Sequence, residues 1–404
     1  MLSVKEARER ILAAFQPVES QTIPLECTGG RVLSSDITSR TDIPPFNNSA
    51  VDGFAFRSED SVPNQTLVVV SDIRAGTYSN IVIQRGECAR IMTGATMPSG
   101  ADTVIMVEDT DFNDLGPGQP APEKVLIRCA VLPGENIRRR GEDLKEGEIV
   151  LTRGTRVRAQ EMGLLAMLGV ANVPVFRRPR LGLLSSGDEL LSVDEELVPG
   201  KIHESNSYSL GALAEATGAV LVKLGVAADD KDDIHSKMQK AVKEKVDIIV
   251  SSAGVSVGAF DYVKAVVEDK GELNFWKVNM RPGKPIVFGK YYDIPFLGLP
   301  GNPVSAFIGF KVFVEPSLEK LSGLADKPHP KRKAILSHLI ESDGRESYLR
   351  AEVKEEDGRL VAHLIGHQGS GNFFSLVRAN ALLIVPSGVK SLPANSEVEI
   401  WPIE

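Results

Sequence analysis

Residues 247–269 read DIIVSSAGVSVGAFDYVKAVVED, and this stretch decides the architecture. A short apolar run bounded by glycine and serine predicts a buried strand, and YVKAVVED predicts a helix behind the loop. The same grammar recurs on both sides. LGLLSS (181–186) predicts a strand, NSYSLGALAEATG (206–218) a helix, VLVKLGV (220–226) a strand and DDIHSKMQKAVKEK (232–245) a helix. A two-strand insertion is expected over residues 273–290. IPFLGLP (294–300) then predicts a strand and PVSAFIGFKVFVEPSLEKL (303–321) a helix. Alternating strands and helices imply a parallel-type sheet with helices on both faces.

The flanks read differently. MLSVKEARERILAAF (1–15) predicts an amphipathic helix, with Ser3 and Glu6 as a capping box and Val4, Ala7, Ile11, Leu12 and Phe15 on one stripe. From about residue 43 to 150 short β-like runs alternate with glycine and proline turns, and residues 159–169 predict a helix. Residues 323–334 read as a linker. Beyond it SYLRAEV, LVAHLIG, LLIVP and VEIWPI predict a small all-β domain.

Composition narrows the function. The 404 residues exceed one ordinary core, and 46 Lys+Arg against 54 Asp+Glu give a net charge of −8. That balance argues against a nucleic-acid binder. No apolar run is long enough to span a bilayer, and the N-terminus lacks a secretory h-region, so no membrane role is expected. Three scattered cysteines and six histidines form no metal-ligand spacing, which points to a reducing, cytoplasmic setting without a Cys/His zinc site.

In an open α/β sheet, ligands bind beyond the carboxyl ends of the strands. Four loops fall there. Ser251, Ser252, Gly254, Ser256 and Gly258 form a loop whose glycines and hydroxyls suit an anion, and Asp261 either caps the next helix or holds a metal. Pro300, Gly301, Asn302 and Pro303 make a tight turn into a helix, a second candidate anion site. Ser185, Ser186, Gly187, Asp188 and Glu189 form the third loop, and Asp229 and Asp230 the fourth. A carboxylate at a strand end is commonly a helix cap, but several along one sheet could hold Mg²⁺ against a phosphate. FWKVNMRPGKPIVFGK (275–290) supplies the basic complement through Lys277, Arg281 and Lys284 on a proline-stiffened segment. Outside the α/β region, NNSAVDGFAF (47–56) carries Asp52 and GENIRRRGEDLKEG (134–147) carries three arginines before Asp143; a plain surface turn is the simpler reading of both.

Taken together, PPFNNSAVDGFA, RIMTGATMPSGADTVIMVEDT, GENIRRRGEDLKEGE, SSGDELL, GKIHESNS, SSAGVSVGAFDYVK, FWKVNMRPGKP, LGLPGNPVSA and HQGSGN resemble the molybdopterin molybdenumtransferases, the MoeA family, which includes the C-terminal domain of gephyrin. The segments run in family order from about residue 40 to 375. Val51 and Phe54 depart from the family's usual Met and Tyr. The resemblance implies a central MogA/MoaB-like α/β domain (179–325), a discontinuous N-terminal helical and linking domain (1–42 and 145–178), a β-rich insertion domain (43–144) and a C-terminal β-barrel-like domain (326–404).

It also implies a reaction: insertion of molybdenum from molybdate into adenylylated molybdopterin, with release of AMP and dependence on Mg²⁺. The family's acidic site positions fall on Asp52, Asp143, Glu189, Asp229 and Asp261, of which Glu189, Asp229 and Asp261 are the expected metal ligands. Lys277, Arg281 and Arg350 match basic positions, and Pro300, Pro303 and Ser370 further site positions. A homodimer is implied, in which the loops of Asp52 and Asp143 reach the α/β domain of the other subunit, as is contact with a separate molybdopterin adenylyltransferase. The rivals are adenylyl transfer itself on a similar α/β domain and a scaffolding role.

Overall fold

Ile248–Ser252 is a central strand of a six-stranded sheet in the order Val220–Ala227, Arg180–Ser186, Ile248–Ser252, Ile294–Leu299, Val287–Tyr291, Gly271–Phe275. The first four strands are parallel. The last two run antiparallel, so the expected insertion extends the sheet as its far edge and makes it mixed. Side chains alternate between faces at period two. Leu181, Leu183, Ile248 and Val250 join one core with the helix Asn206–Thr217. Leu184 and Ile249 join another with Lys231–Lys243 and Tyr262–Lys270. From Arg180–Ser186 the chain crosses outward to one side, and from Ile248–Ser252 to the other. These two strands therefore flank the switch point, where open α/β sheets hold their ligands.

The computed structural model describes residues 1–115, 118–253, 262–275, 277–324 and 331–403. They form two units: residues 1–35, 153–163 and 170 onward, and residues 36–152 with 164–169. The first unit also holds the N-terminal helix Val4–Ala13, where both hydrogen bonds of the Ser3/Glu6 capping box are made and Val4, Ala7 and Ile11 are buried. Its C-terminal part is a closed five-stranded barrel. Glu346–Glu356 pairs with Arg359–Leu364, which is followed by Arg332–Leu336, Glu397–Pro402 and Ala381–Val385, and the last returns to Glu346–Glu356. Leu336, Leu349, Ala351, Leu383 and Ile400 fill it.

The second unit is built on a five-stranded sheet, Thr103–Met106, Gly53–Phe56, Glu87–Ile91, Thr66–Ile73, Lys124–Leu126. Phe54 and Phe56 enter one core and Ala55 the other, the alternation of a strand buried on both faces. Gly53 opens this strand rather than closing a turn. A Cβ there would lie 1.9 Å from the Ile105 carbonyl oxygen, so only glycine fits after Asp52.

Candidate active site

Four serines end the two strands at the switch point, and the alternation splits them between the faces. Ser185 and Ser252 are register partners, their hydroxyls 3.1 Å apart. Ser185 donates to Glu204 Oε1 at 3.0 Å, and the same oxygen accepts the Ser207 N–H at 2.8 Å. The Ser207 hydroxyl donates to Glu204 Oε2. Glu204 is only 4% exposed. Ser186 and Ser251, on the opposite face, are buried and their hydroxyls have no partner among the described residues. Gly254, Ser256, Gly258 and Asp261 lie outside the described residues.

The acidic side of the edge is formed by the third and fourth loops. Gly187 has φ +146°, and a Cβ on it would meet Glu189 Oε2 at 2.5 Å, so the Glu189 carboxylate folds over a glycine. Asp188 Oδ1 accepts the Asp229 N–H at 3.1 Å. Burial, then the neighbouring Asp188 and Glu189 charges, push the Asp229 carboxyl above the usual aspartate range. Asp230 behaves differently. It caps Lys231–Lys243, accepting the N–H groups of Asp232 and Asp233 at 2.9 and 3.0 Å. Thus Glu189 and Asp229 share one electrostatic environment, whereas Asp230 is spent on a helix. Among the described residues no group of three or more His, Cys, Asp or Glu side chains is arranged to hold a metal ion.

The basic side comes from the segment before Val287–Tyr291. Met280–Arg281 pairs in parallel with Glu346 and Ser347 of the barrel. Arg281 is followed by a cis proline and by Gly283 at φ +96°, which gives the RPGKP run a fixed bend. Arg281 Nη1 lies 3.9 Å from Asp343 Oδ2, a carboxylate already engaged by Arg345, which holds it below its usual range. Lys284 is exposed, and Lys277 is half-buried on the same segment.

Three expected site residues have more local work than the sequence implied. Pro303 begins Pro303–Gly309, as its fixed φ favours, but the next N–H, of Val304, donates to the Ser370 carbonyl at 3.2 Å and is not open to an anion. Ser370 therefore meets the turn of Pro300 through its backbone. Arg350 is fully buried. Its guanidinium donates to Ser375 Oγ at 2.9 Å and to the carbonyls of Gln368, His367 and Gly369 at 3.3, 3.3 and 3.0 Å. Burial, then the Arg281 charge, lower it to about 10. Arg350 thus shapes the 367–372 loop and is a buried positive charge.

In the second unit the two motif loops are zipped together, Asn48 and Ser49 opposite Arg138 and Ile137. Asp52 Oδ1 accepts the N–H and hydroxyl of Thr93 at 2.7 and 2.8 Å. These two bonds, the N–H first, hold its carboxyl below the usual range. Asp143 pairs with Arg138, and Arg140 with Asp42, so two of the three arginines are engaged rather than merely solvated. Thr93 and Glu204 were missed by sequence reasoning; both lie inside quoted motif segments, RIMTGA and HESNS, but nothing in their local pattern marked either.

Paired serines, strand-end carboxylates and a basic segment at a switch point are the arrangement in which α/β folds hold polar, charged small ligands. Three family models match: the MoeA N-terminal region (domain I and II) over residues 2–169, the probable molybdopterin binding domain over 183–320, and the MoeA C-terminal region (domain IV) over 333–403. The chain is 35% identical over 406 residues to a molybdopterin molybdenumtransferase of Haemophilus influenzae, covering 100% of this chain and 98% of that one. It is 34% identical to one of Bacillus subtilis, covering 99% and 93%. A molybdopterin biosynthesis MoeA protein of Pyrococcus horikoshii superposes with a TM-score of 0.84 at 31% identity, covering 100% of both chains. The chain belongs to the MoeA family of molybdopterin molybdenumtransferases, transferases of molybdenum cofactor biosynthesis.

Proposed function

We propose that this transferase inserts molybdenum from molybdate into adenylylated molybdopterin and releases AMP, with Mg²⁺, as a cytoplasmic homodimer supplied by a separate molybdopterin adenylyltransferase. The observation that carries this reading is the crowding of Asp188, Glu189 and Asp229 at the strand ends, in a domain whose segment before Val287–Tyr291 carries Lys277, Arg281 and Lys284. Carboxylates crowded until one is raised suit a hard divalent cation, which takes oxygen ligands and phosphate together. Glu189 and Asp229 would hold Mg²⁺, with Asp261 as the expected third ligand. Bound there, the metal would supply charge neutralisation at a phosphate. Lys277, Arg281 and Lys284 offset the charge of molybdate and phosphate, and Arg350 holds the 367–372 loop against the helix that begins at Pro303. Asp52 and Asp143, each fixed by a neighbour, are assigned to orienting molybdate or water. Rate enhancement then comes from positioning and preorganised charge, not from a covalent nucleophile.

The test supplies adenylylated molybdopterin, molybdate and Mg²⁺ and measures AMP and product molybdenum. AMP released only when molybdate is present is the expected result. Efficient adenylylation of molybdopterin from ATP would overturn the assignment. Sedimentation of the full chain tests the dimer.

A further inference from the structure

Glu204 gives the serine pair a direction. A hydroxyl has one proton and two lone pairs. Ser185 donates its proton to Glu204 Oε1, an oxygen that already accepts the Ser207 N–H and has none to return. The contact between Ser185 and Ser252 then leaves one possible donor, Ser252. The Ser252 proton is turned inward, and only its lone pairs are left for any other group. A second acceptor lies at the same corner. Asn206 Nδ2 donates to the Gly301 carbonyl at 2.8 Å, which fixes the amide, and its buried Oδ1 has no partner among the described residues. Gly301 lies against Ala253, the residue after Ser252; a Cβ on Gly301 would be 3.2 Å from that of Ala253. The opposite face keeps the unpartnered hydroxyls of Ser186 and Ser251, whose protons are uncommitted.

We infer that the Glu204 face of the site recognises a hydrogen-bond-donating edge of the ligand, an N–H or O–H group, and excludes an oxyanion, with Glu204 a positioning residue that acts through Ser185 and Ser252. This reverses the sequence expectation that the Ser252 hydroxyl donates to an anion. An oxyanion here would face lone pairs, whereas a donor-bearing edge satisfies acceptors that are otherwise orphaned. The inference rests on the reading of the strand ends as the ligand site. The amide and amine of a pterin and the hydroxyls of a ribose share the required chemistry, and separate probes distinguish them.

The experiment measures binding of 6-hydroxymethylpterin, AMP and molybdate to the full chain by calorimetry. Ser185→Ala frees the Ser252 proton with little change in volume. It is expected to weaken the pterin or AMP by roughly three- to tenfold and leave molybdate within about twofold. Loss for the pterin assigns the contact to the pterin heterocycle, and loss for AMP to the nucleotide, whose donors are the ribose hydroxyls and the adenine amine. Glu204→Gln, whose carbonyl can still accept from Ser185 and Ser207, is expected to match the wild type, whereas Glu204→Ala should behave as Ser185→Ala does. In a Ser252→Ala background the effect of Ser185→Ala should vanish, which a general packing role would not produce. Weakened molybdate with unchanged pterin and AMP would overturn the inference, as would a Ser185→Ala effect that persists without Ser252. A wild type that binds none of the three probes at millimolar concentration instead overturns the strand-end site itself. The two serine variants keep the test open if Glu204→Ala fails to fold.

Discussion

Asp52 and Asp229 are both acidic positions expected in the site, and their surroundings treat them in opposite ways. Asp52, in the β-rich unit, receives two donors from Thr93 and is held below the usual aspartate range. Asp229, at a strand end of the α/β sheet, is partly buried beside Asp188 and Glu189 and is pushed above it. The first is a carboxylate whose charge is already stabilised by protein. The second carries a charge that its neighbours oppose and that a cation would relieve. One residue type thus meets two environments: donors from Thr93 dominate at Asp52, whereas burial and neighbouring like charge outweigh the Asp188 backbone donor at Asp229.

The largest expected effect is on the reaction. Asp229→Asn should lower molybdenum transfer by about 100-fold or more, the effect of removing a ligand of the proposed Mg²⁺, yet leave stability unchanged or raise it by up to about 1 kcal/mol as repulsion is relieved. Urea unfolding beside a transfer assay checks both. A marked loss of stability would show that Asp229 is held by partners after all and would erase the contrast. Next, Asp52→Ala should cost about 1 kcal/mol, because the Thr93 N–H and hydroxyl lose their acceptor at a water-accessible site. Asp52→Asn, which keeps an acceptor, should cost less.

A third measurement sharpens the comparison without mutation. Carboxyl NMR titration should place Asp52 below Asp229, and added Mg²⁺ should lower the Asp229 value while leaving Asp52 in place. An Asp229 value insensitive to Mg²⁺ removes it from the metal set. The smallest effect is on stability against pH. The folded value of Asp52 is depressed, so its contribution is present above the unfolded value of about 3.9 and is lost as pH falls through the folded one. Asp229 has the opposite sign: its raised folded value favours the protonated form, a contribution present below about 3.9 and lost as pH rises through the folded value. Asp52→Asn should therefore flatten the acid limb of the stability curve, and Asp229→Asn should remove a loss on its rising side.

Much of the fold is legible because its signals are local. The Ser3/Glu6 capping box forms as read, Gly218 in a left-handed conformation ends the helix Asn206–Thr217, and the strand-end serines fall where a short apolar run places them. The site is legible only as a set of loops. Glu204 returns to Ser185 across nineteen residues, and Thr93 reaches Asp52 across forty-one, separations at which sequence periodicity has no reach. Arg350 shows the other gap. The family resemblance offers Arg350 as a basic site position, and only the folded loop reveals that its donors go to the Ser375 hydroxyl and to carbonyls.

The pairing of Met280 and Arg281 with the barrel strand, and the Val304 bond to Ser370, make the C-terminal barrel part of the α/β domain's own backbone network. Modularity in such a chain is therefore shallower than its family divisions imply. A barrel transplanted from a relative would have to bring both a strand edge that accepts residues 280–281 and a loop of matching length at 367–372, or the basic segment and the Pro300 turn would lose their anchorage together. Inheritance of the two regions as a single piece is the expected evolutionary consequence, and recombination between distant relatives should succeed with breakpoints before residue 180 more readily than with breakpoints near residue 325.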